Sequence, residues 1–183
     1  VIGDHGRGTS NHFGLTDDVD IIGGTLSKSF ASLGGFCASD ADTINYLKHS
    51  SKSMIFAASI TPASIASALA ALDIMETDDS YRLKLWDNTH YTLKVMKDLG
   101  FDTGASETPI IPIFVRDDLK AFKLTKMLFD RGVFVNPVVS PGVSPEDSLI
   151  RFSIMASHTH EQIDRAAEIL HKAAKEVGLF ETA

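Results

Sequence analysis

The chain has 183 residues, of which 44% are hydrophobic, enough for a core of ordinary size in one domain or one and a half. Its net charge of −7 argues against a nucleic-acid-binding protein, which would normally present a basic face. The single cysteine excludes an internal disulfide and favours a reducing cytosol, and no apolar run approaches the roughly 18 residues that span a bilayer.

The first part of the chain predicts a sheet-based domain. Residues 1–11, rich in glycine and polar side chains, predict a loop, and the β-branched run at residues 19–22 predicts a buried strand. Residues 34–38 predict a second strand. Residues 40–50 predict a short helix with Asp40 as its N-cap, because an aspartate oxygen accepts hydrogen bonds from the free amides of a first turn.

Two long helices are predicted next. Thr61 and Pro62 open the first, since proline is well placed in the first turn of a helix. The second runs from about residue 81 to residue 99 and ends at Gly100, which is a favourable C-cap. The largely acidic stretch between them, residues 76–79, predicts a solvated turn.

The last part alternates strands and helices. The predicted elements are a strand at 110–115 that Pro112 places at a sheet edge or a bulge, a helix at 119–131, a strand at 133–139 ended by Pro137, a strand at 149–155, and a helix from a capping box at Thr159 to Val177. The buried stripe of the last helix is predicted to be Ile163, Ala166, Ala167, Leu170 and Ala174. Strands and helices in this order indicate an α/β fold, with a smaller α+β domain after the long helices.

The strongest chemical signal is the segment Gly24-Thr25-Leu26-Ser27-Lys28-Ser29, which follows the first predicted strand. A lysine there would lie at the end of a buried strand, and desolvation makes a lysine a better nucleophile toward carbonyls. Thr25, three residues earlier, can place its hydroxyl on a phosphate. Because the motif is short, an ordinary loop lysine beside a Gly-rich turn is the alternative on spacing alone.

Other reactive side chains receive a structural interpretation. His5 and His12 lie in the opening loop without a cysteine or carboxylate cluster of ligand spacing, so we expect no metal site. Cys37 follows Gly-Gly-Phe on the second predicted strand, and we expect a small buried residue rather than a nucleophile.

Four segments together match one family: Gly6-Arg7-Gly8-Thr9, His12-Phe13-Gly14-Leu15, the run from Val19 to Lys28, and Gly34-Gly35-Phe36. They resemble the α-oxoamine synthases, pyridoxal-phosphate enzymes that condense an amino acid with an acyl-CoA and release CO2. The resemblance implies fold type I, the aspartate aminotransferase-like fold. It implies that residues 1–75 are the C-terminal part of the large cofactor-binding domain with its linking helix, and that residues 76–183 are the small C-terminal α+β domain.

The resemblance also assigns roles to single residues. Lys28 matches the lysine that holds pyridoxal 5'-phosphate as a Schiff base, and Thr25 matches the threonine that contacts the cofactor phosphate. Arg151, in Leu-Ile-Arg-Phe-Ser, matches the arginine that receives the substrate carboxylate. Ala57 and Ala58 stand in a segment that reaches the cofactor phosphate of the partner subunit. The family often has serine or threonine there, so a backbone amide is the remaining candidate for that contact.

The family's Asp-Glu-Ala-His motif does not occur in this sequence, and the resemblance places it just before Val1. It supplies the aspartate at the pyridine nitrogen and the histidine that stacks on the ring. Because Val1 is not an initiator methionine either, we expect the chain to be the C-terminal part of a longer enzyme, and we expect this piece alone to be inactive.

Within the family, residues 27–35 are most similar to the soluble bacterial serine palmitoyltransferases. The segment Ser140-Pro141-Gly142-Val143-Ser144-Pro145 falls where those enzymes have a Pro-rich mobile loop, with a plain connection between two strands as the alternative. The implied substrates are L-serine and a long-chain acyl-CoA, and the implied assembly is a homodimer whose active site is shared across the interface. We expect a cytoplasmic enzyme, with peripheral contact at the inner membrane left open.

Three alternatives stay open. Other acyl-CoA-condensing branches, 2-amino-3-ketobutyrate CoA ligase and 8-amino-7-oxononanoate synthase, share the lysine motif. An aminotransferase or amino-acid lyase would keep the fold and change the chemistry, which the contexts of Gly34-Gly35-Phe36 and Arg151 disfavour. A non-catalytic regulatory subunit usually lacks the lysine that this chain retains as Lys28.

Overall fold

The computed structural model describes residues 1–180. The chain forms two compact units, Val1–Arg82 and Leu83–Ala183. The domain division expected between residues 75 and 76 concerns the whole protein and stays a prediction.

Helices and short strands alternate along the chain. The helices are α1 Thr9–His12, α2 Ala41–Ser50, α3 Lys52–Ile55, α4 Pro62–Thr77, α5 Ser80–Asp98, α6 Asp118–Asp130 and α7 His160–Glu176. The strands are β1 Ile22–Thr25, β2 Gly35–Ala38, β3 Ile110–Phe114, β4 Asn136–Val138 and β5 Leu149–Ser153. Single 3-10 turns occur at Asp4–Gly6, Thr16–Asp18 and Pro145–Asp147.

The first unit combines an antiparallel β1–β2 pair with the helices that follow it. The N-cap predicted for α2 and the predicted start of α4 at Thr61 and Pro62 are confirmed, and Thr61 also caps α4. Asp40 accepts from the amide of Thr43 at 2.9 Å, and Thr61 accepts from the amide of Ser64 at 3.3 Å. The opening segment is not a plain loop, because it contains α1 and a 3-10 turn.

The prediction of a buried strand at residues 19–22 is wrong in position and in burial. Strand β1 begins at Ile22, and Val19 and Ile21 are 39% and 48% exposed. No residue of the first unit is buried among those described. Cys37 on β2 is likewise exposed, not buried as expected.

The second unit contains a three-stranded antiparallel sheet in the order β3-β5-β4. The two outer strands each carry a proline, Pro112 in β3 and Pro137 in β4. An edge strand tolerates proline because one row of its amides has no ladder partner. The edge position predicted for Pro112 is confirmed. Pro137 does not end its strand, because it lies within β4, opposite Ile150 of β5.

The hydrophobic core of the second unit lies between this sheet and helices α5, α6 and α7. Helix α7 begins with the predicted capping box, in which Thr159 and Gln162 exchange hydrogen bonds. Its buried residues are Ile163, Ala167, Leu170, Ala173 and Ala174, so the predicted stripe is confirmed except at Ala166, which is only partly buried. Along β5, Ile150 and Phe152 are buried while Arg151 between them is exposed, as strand alternation requires.

His171 on α7 lies beside the rings of Phe101 and Phe180, and its Nδ1 atom is buried without a hydrogen-bond partner in the described residues. Burial, and secondarily the positive charge of Lys175, lower the pKa of His171 below its ordinary value of 6.5. The unfolded chain therefore takes up this proton first. We expect the free energy of unfolding to be complete above about pH 6.5 and to decrease as the pH falls below it.

The measurement is the urea-unfolding midpoint at pH 7.5 and pH 5.8, for the natural protein and for His171→Phe. The variant should lose less stability across this interval. An equal loss in both proteins would assign the pH dependence to other groups.

Candidate active site

The loop that joins β1 to β2 holds Lys28 in a closed backbone turn. The amide of Leu26 donates to the carbonyl of Gly34, and the amide of Ser32 donates to the carbonyl of Leu26, both at 2.9 Å. The amide of Ala31 donates to the Lys28 carbonyl at 2.9 Å. The backbone of the lysine is thereby set by the hairpin, while its side chain stays exposed.

Two glycines let the strands of this hairpin come close. A Cβ atom on Gly24 would lie 2.4 Å from Cε1 of Phe36, whose ring covers it. A Cβ atom on Gly35 would lie 2.6 Å from the carbonyl oxygen of Gly24 on the paired strand. The Gly-rich character of the motif therefore has a packing cause within the described residues.

We expect Gly35→Ala to destabilise the protein by about 1–3 kcal/mol, because the new methyl meets a backbone oxygen that cannot move without distorting the β1–β2 pair. Gly23→Ala is the matched control on the facing strand, since its Cβ would meet nothing within 4 Å in the described residues. The measurement is the free energy of unfolding in urea, without cofactor. Equal losses in the two variants would contradict the steric argument.

The hydroxyl of Thr25 is oriented by its neighbours. It accepts from the amide of Ser27 at 3.2 Å, lies 2.8 Å from the Ser27 hydroxyl and donates to the carbonyl of Gly34 at 3.4 Å. Thr25 also lines a cavity of about 1120 Å³ together with Gly23 and Gly24. The contact of Ser27 with Thr25 was not predicted from the motif, although a spacing of two residues is typical of such local hydroxyl contacts.

The side chain of Lys28 makes no hydrogen bond or ion pair within residues 1–180, and it does not line that cavity. The expected setting at the end of a buried strand is therefore wrong for the described residues, because β1 itself is not buried. What the structure places together is Thr25 and Lys28, on either side of Ser27 in one short turn.

Ala57 and Ala58 lie in the exposed connection between α3 and α4, and they do not line the cavity. The aromatic residue before them, Phe56, is 84% exposed. The start of α4 contacts the lysine loop, because the Ser32 hydroxyl donates to the carbonyl of Ser64 at 2.5 Å.

Arg151 occupies the central strand of the second unit, opposite Pro112 of β3 and Asn136 of β4. It lines a cavity of about 420 Å³ with Met155 and His158 among its other walls. No carboxylate pairs with Arg151 within residues 1–180. An exposed guanidinium that lines a cavity without an internal counter-ion is suited to an anionic ligand. Thr25 and Lys28 belong to the first unit and Arg151 to the second.

Residues 140–145 form part of the connection between the antiparallel strands β4 and β5. The amide of Gly142 donates to the carbonyl of Val139 at 2.9 Å, and the Ser144 hydroxyl donates to the carboxylate of Asp147 at 2.7 Å. The alternative of a plain connection between two strands fits this arrangement. The expected mobility of the segment stays a prediction.

Residues 1–170 match the family described as aminotransferase class I and II, and the chain belongs to that family. Among curated relatives, a serine palmitoyltransferase from Sphingobacterium spiritivorum is 58% identical over 176 residues, which are 96% of this chain and 44% of that protein. An 8-amino-7-oxononanoate synthase from Thermosipho melanesiensis is 42% identical over 180 residues, which are 98% of this chain and 46% of that protein. The chain thus spans less than half the length of these relatives.

A solved structure of a serine palmitoyltransferase with a pyridoxal-phosphate internal aldimine superposes with a TM-score of 0.90 at 30% identity. The match covers 97% of this chain and 45% of that one. The expected fold, type I and aspartate aminotransferase-like, is confirmed by this likeness and by the family match. None of the helices in residues 1–180 has the length and apolar character needed to cross a membrane.

Proposed function

We propose that this chain is part of an enzyme that condenses L-serine with palmitoyl-CoA, with loss of CO2, to give 3-ketodihydrosphingosine, the first step of sphingolipid synthesis. The observation that carries the proposal is the turn in which Thr25 and Lys28 stand together after a Gly-Gly strand. The 58% identity to a serine palmitoyltransferase supports the choice of branch. On its own, the chain is expected to be inactive.

The residues of the first unit fit pyridoxal 5'-phosphate as the cofactor. Gly23 presents no side chain to the cavity of about 1120 Å³ and its Cβ position is open, and Thr25 adds a hydroxyl that can donate to a phosphate oxygen. Lys28 would hold the cofactor covalently through Nζ. The cofactor, when bound, supplies an electron sink for the charge left by bond cleavage at the amino acid.

Lys28 has a second role in the proposal, as the base that takes the proton from Cα of serine. The Lys28 amine suits this role because no carboxylate within residues 1–180 pairs with it. The hydrogen bonds that close its turn hold its backbone in one place, so the amine moves only by rotation of its own side chain. Proton transfer by a positioned side chain contributes typically about 10²–10⁴-fold to a rate.

Arg151 would bind the carboxylate of serine by a charge-assisted, forked pair. Its exposed position on β5 and its place in the wall of a cavity support this role. The guanidinium orients the amino acid before the acyl-CoA reacts.

The proposed partners follow from the same relatives. They are L-serine, a long-chain acyl-CoA and a second copy of the protein, with the Ala57–Ala58 segment reaching the partner's cofactor phosphate through a backbone amide. The exposure of Phe56 to Ala58 supports an intersubunit role for this segment. A cytoplasmic location belongs to this proposal, and peripheral contact at the inner membrane stays open.

The test is a visible-absorbance titration of the full-length protein with L-serine and, separately, with glycine, followed by acyl-CoA of different chain lengths. A saturable change with serine and product with palmitoyl-CoA is the expected result. A response to glycine and turnover with acetyl-CoA would move the assignment to 2-amino-3-ketobutyrate CoA ligase. Absence of any cofactor absorbance would favour a regulatory subunit.

The 42% identity to an 8-amino-7-oxononanoate synthase keeps that activity as the second candidate. The same titration separates it, because that enzyme would not give product from serine and palmitoyl-CoA.

A further inference from the structure

Helix α5 carries three buried polar residues, Asn88, Thr89 and Thr92, on the face that packs into the core of the second unit. The two threonine hydroxyls are satisfied inside the helix. Thr89 donates to the carbonyl of Leu85 and Thr92 to the carbonyl of Asn88, each at 2.7 Å. Asn88, only 1% exposed, instead directs its side chain out of the helix to a distant part of the chain.

The side-chain amide of Asn88 donates both of its hydrogens to one turn. Nδ2 lies 3.0 Å from the carbonyl oxygen of Met155 and 2.9 Å from that of His158. Both acceptors are carbonyls, so the amide must face them with its nitrogen. Within the turn, the His158 amide donates to the Met155 carbonyl, and the Met155 amide donates to Nδ1 of His158, each at 3.2 Å.

This turn connects β5 to α7 and forms part of the wall around Arg151. Met155 and His158 line the Arg151 cavity, and so does Gln162, whose capping box starts immediately after the turn. Asn88 does not line the cavity. It can therefore influence a ligand at Arg151 only through the position of the turn.

We propose that Asn88 is a positioning residue that sets the wall of the Arg151 cavity, and through it the affinity for the carboxylate of an α-amino acid. The inference rests on the proposed function for its ligand. A buried side chain with two donors can hold two carbonyls of one turn. Without Asn88, the His158 carbonyl loses this hydrogen bond and the Met155 carbonyl keeps the amide of His158 as a donor. The turn at Met155 and His158 is therefore held by a side chain of α5 as well as by hydrogen bonds within the turn.

The variant Asn88→Leu removes both donors, and Thr92→Val is the matched control. Thr92 is as buried as Asn88 on the same helix, but its hydroxyl bonds only within α5. In the full-length enzyme we expect Asn88→Leu to raise the dissociation constant and the KM for L-serine about tenfold, as for the loss of one to two hydrogen bonds. The kcat and the KM for acyl-CoA should change less than about threefold. Thr92→Val should leave the serine constants within about twofold.

A second readout does not depend on activity. Hydrogen exchange at the backbone amides of residues 155–159 should become at least about tenfold faster in Asn88→Leu and stay unchanged in Thr92→Val. The variant Asn88→Asp adds a pH test, because a protonated carboxyl regains one donor. Its serine affinity, taken relative to the natural enzyme, should improve as the pH is lowered.

Unchanged exchange at residues 155–159 in Asn88→Leu would overturn the inference, as would equal losses of serine affinity in Asn88→Leu and Thr92→Val. If glycine proves to be the substrate, the proposed function fails. The serine measurements on Asn88→Leu and Thr92→Val are then repeated with glycine. Their outcome then decides the role of Asn88 independently, because both amino acids carry the same carboxylate.

Discussion

Lys28→Ala in the full-length protein is expected to abolish product formation and to remove the visible absorbance of a covalently held cofactor. The variant lacks both the amine that binds the cofactor and the base at Cα of the amino acid. Loss of the base alone should cost about 10²–10⁴-fold in rate, and loss of covalent attachment adds to this. The measurement is single-turnover product formation with L-serine and palmitoyl-CoA, together with the absorption spectrum.

The fold should survive this substitution. Lys28 is exposed and its side chain makes no hydrogen bond or ion pair within residues 1–180, while the turn around it is closed by backbone hydrogen bonds that alanine keeps. The thermal midpoint without cofactor should therefore stay within about 2 °C, as for other substitutions at exposed positions. Lys84→Ala, at an exposed position of α5, is the control for the loss of a lysine as such. Product formation by Lys28→Ala at a rate like that of Lys84→Ala would contradict the catalytic role of Lys28.

Arg151→Ala is expected to weaken the binding of L-serine about 10- to 100-fold, because hydrogen bonds to a charged group contribute about 1.5–3 kcal/mol. The affinity for the acyl-CoA should change little. Arg151→Lys keeps the charge but loses the forked geometry, so its serine affinity should lie between those of the natural enzyme and Arg151→Ala. The measurement is the dissociation constant from the absorbance titration with serine alone.

Arg165→Ala provides the matched control for this second experiment. Arg165 is exposed on α7 in the same unit but does not line the cavity. Its replacement should leave the serine dissociation constant within about twofold. An unchanged serine affinity in Arg151→Ala would show that Arg151 does not bind the substrate carboxylate. The proposed site would then rest on the turn around Lys28 alone.

The double variant Arg151→Ala with Asn88→Leu tests whether Asn88 acts on serine binding through Arg151. If Asn88 acts by placing the cavity around Arg151, the two losses of serine affinity overlap. Their sum should then exceed the loss in the double variant. Additive losses would show that the two residues act on serine binding separately.

Much of the local structure follows from short-range chemistry. The caps at Asp40, Thr61 and Thr159 and the C-terminal Gly100 were predictable, because a capping side chain and the amide it satisfies lie within a few residues of each other. The edge position of Pro112 follows from its missing amide. The motif around Lys28 was also readable, because its glycines, threonine and lysine are contiguous in sequence.

Where the prediction failed, longer-range packing decides. The β-branched run at 19–22 favours a strand, yet β1 runs from Ile22 to Thr25, where it pairs with β2 and Gly24 lies close against Phe36. The burial expected for Cys37 depends on how closely other segments pack on β2, and among the described residues Cys37 stays exposed. Intrinsic strand preference is weak compared with such context.

The sequence by itself determined the helices with their caps and the contiguous motif around Lys28, because each depends on residues close together in the chain. Only the tertiary structure decided that Arg151 faces a cavity and that Asn88 holds its wall. Those relations depend on the pairing of β5 with two other strands and on hydrogen bonds spanning 67 and 70 residues. No local pattern encodes such contacts, since they form only when the core brings distant segments together.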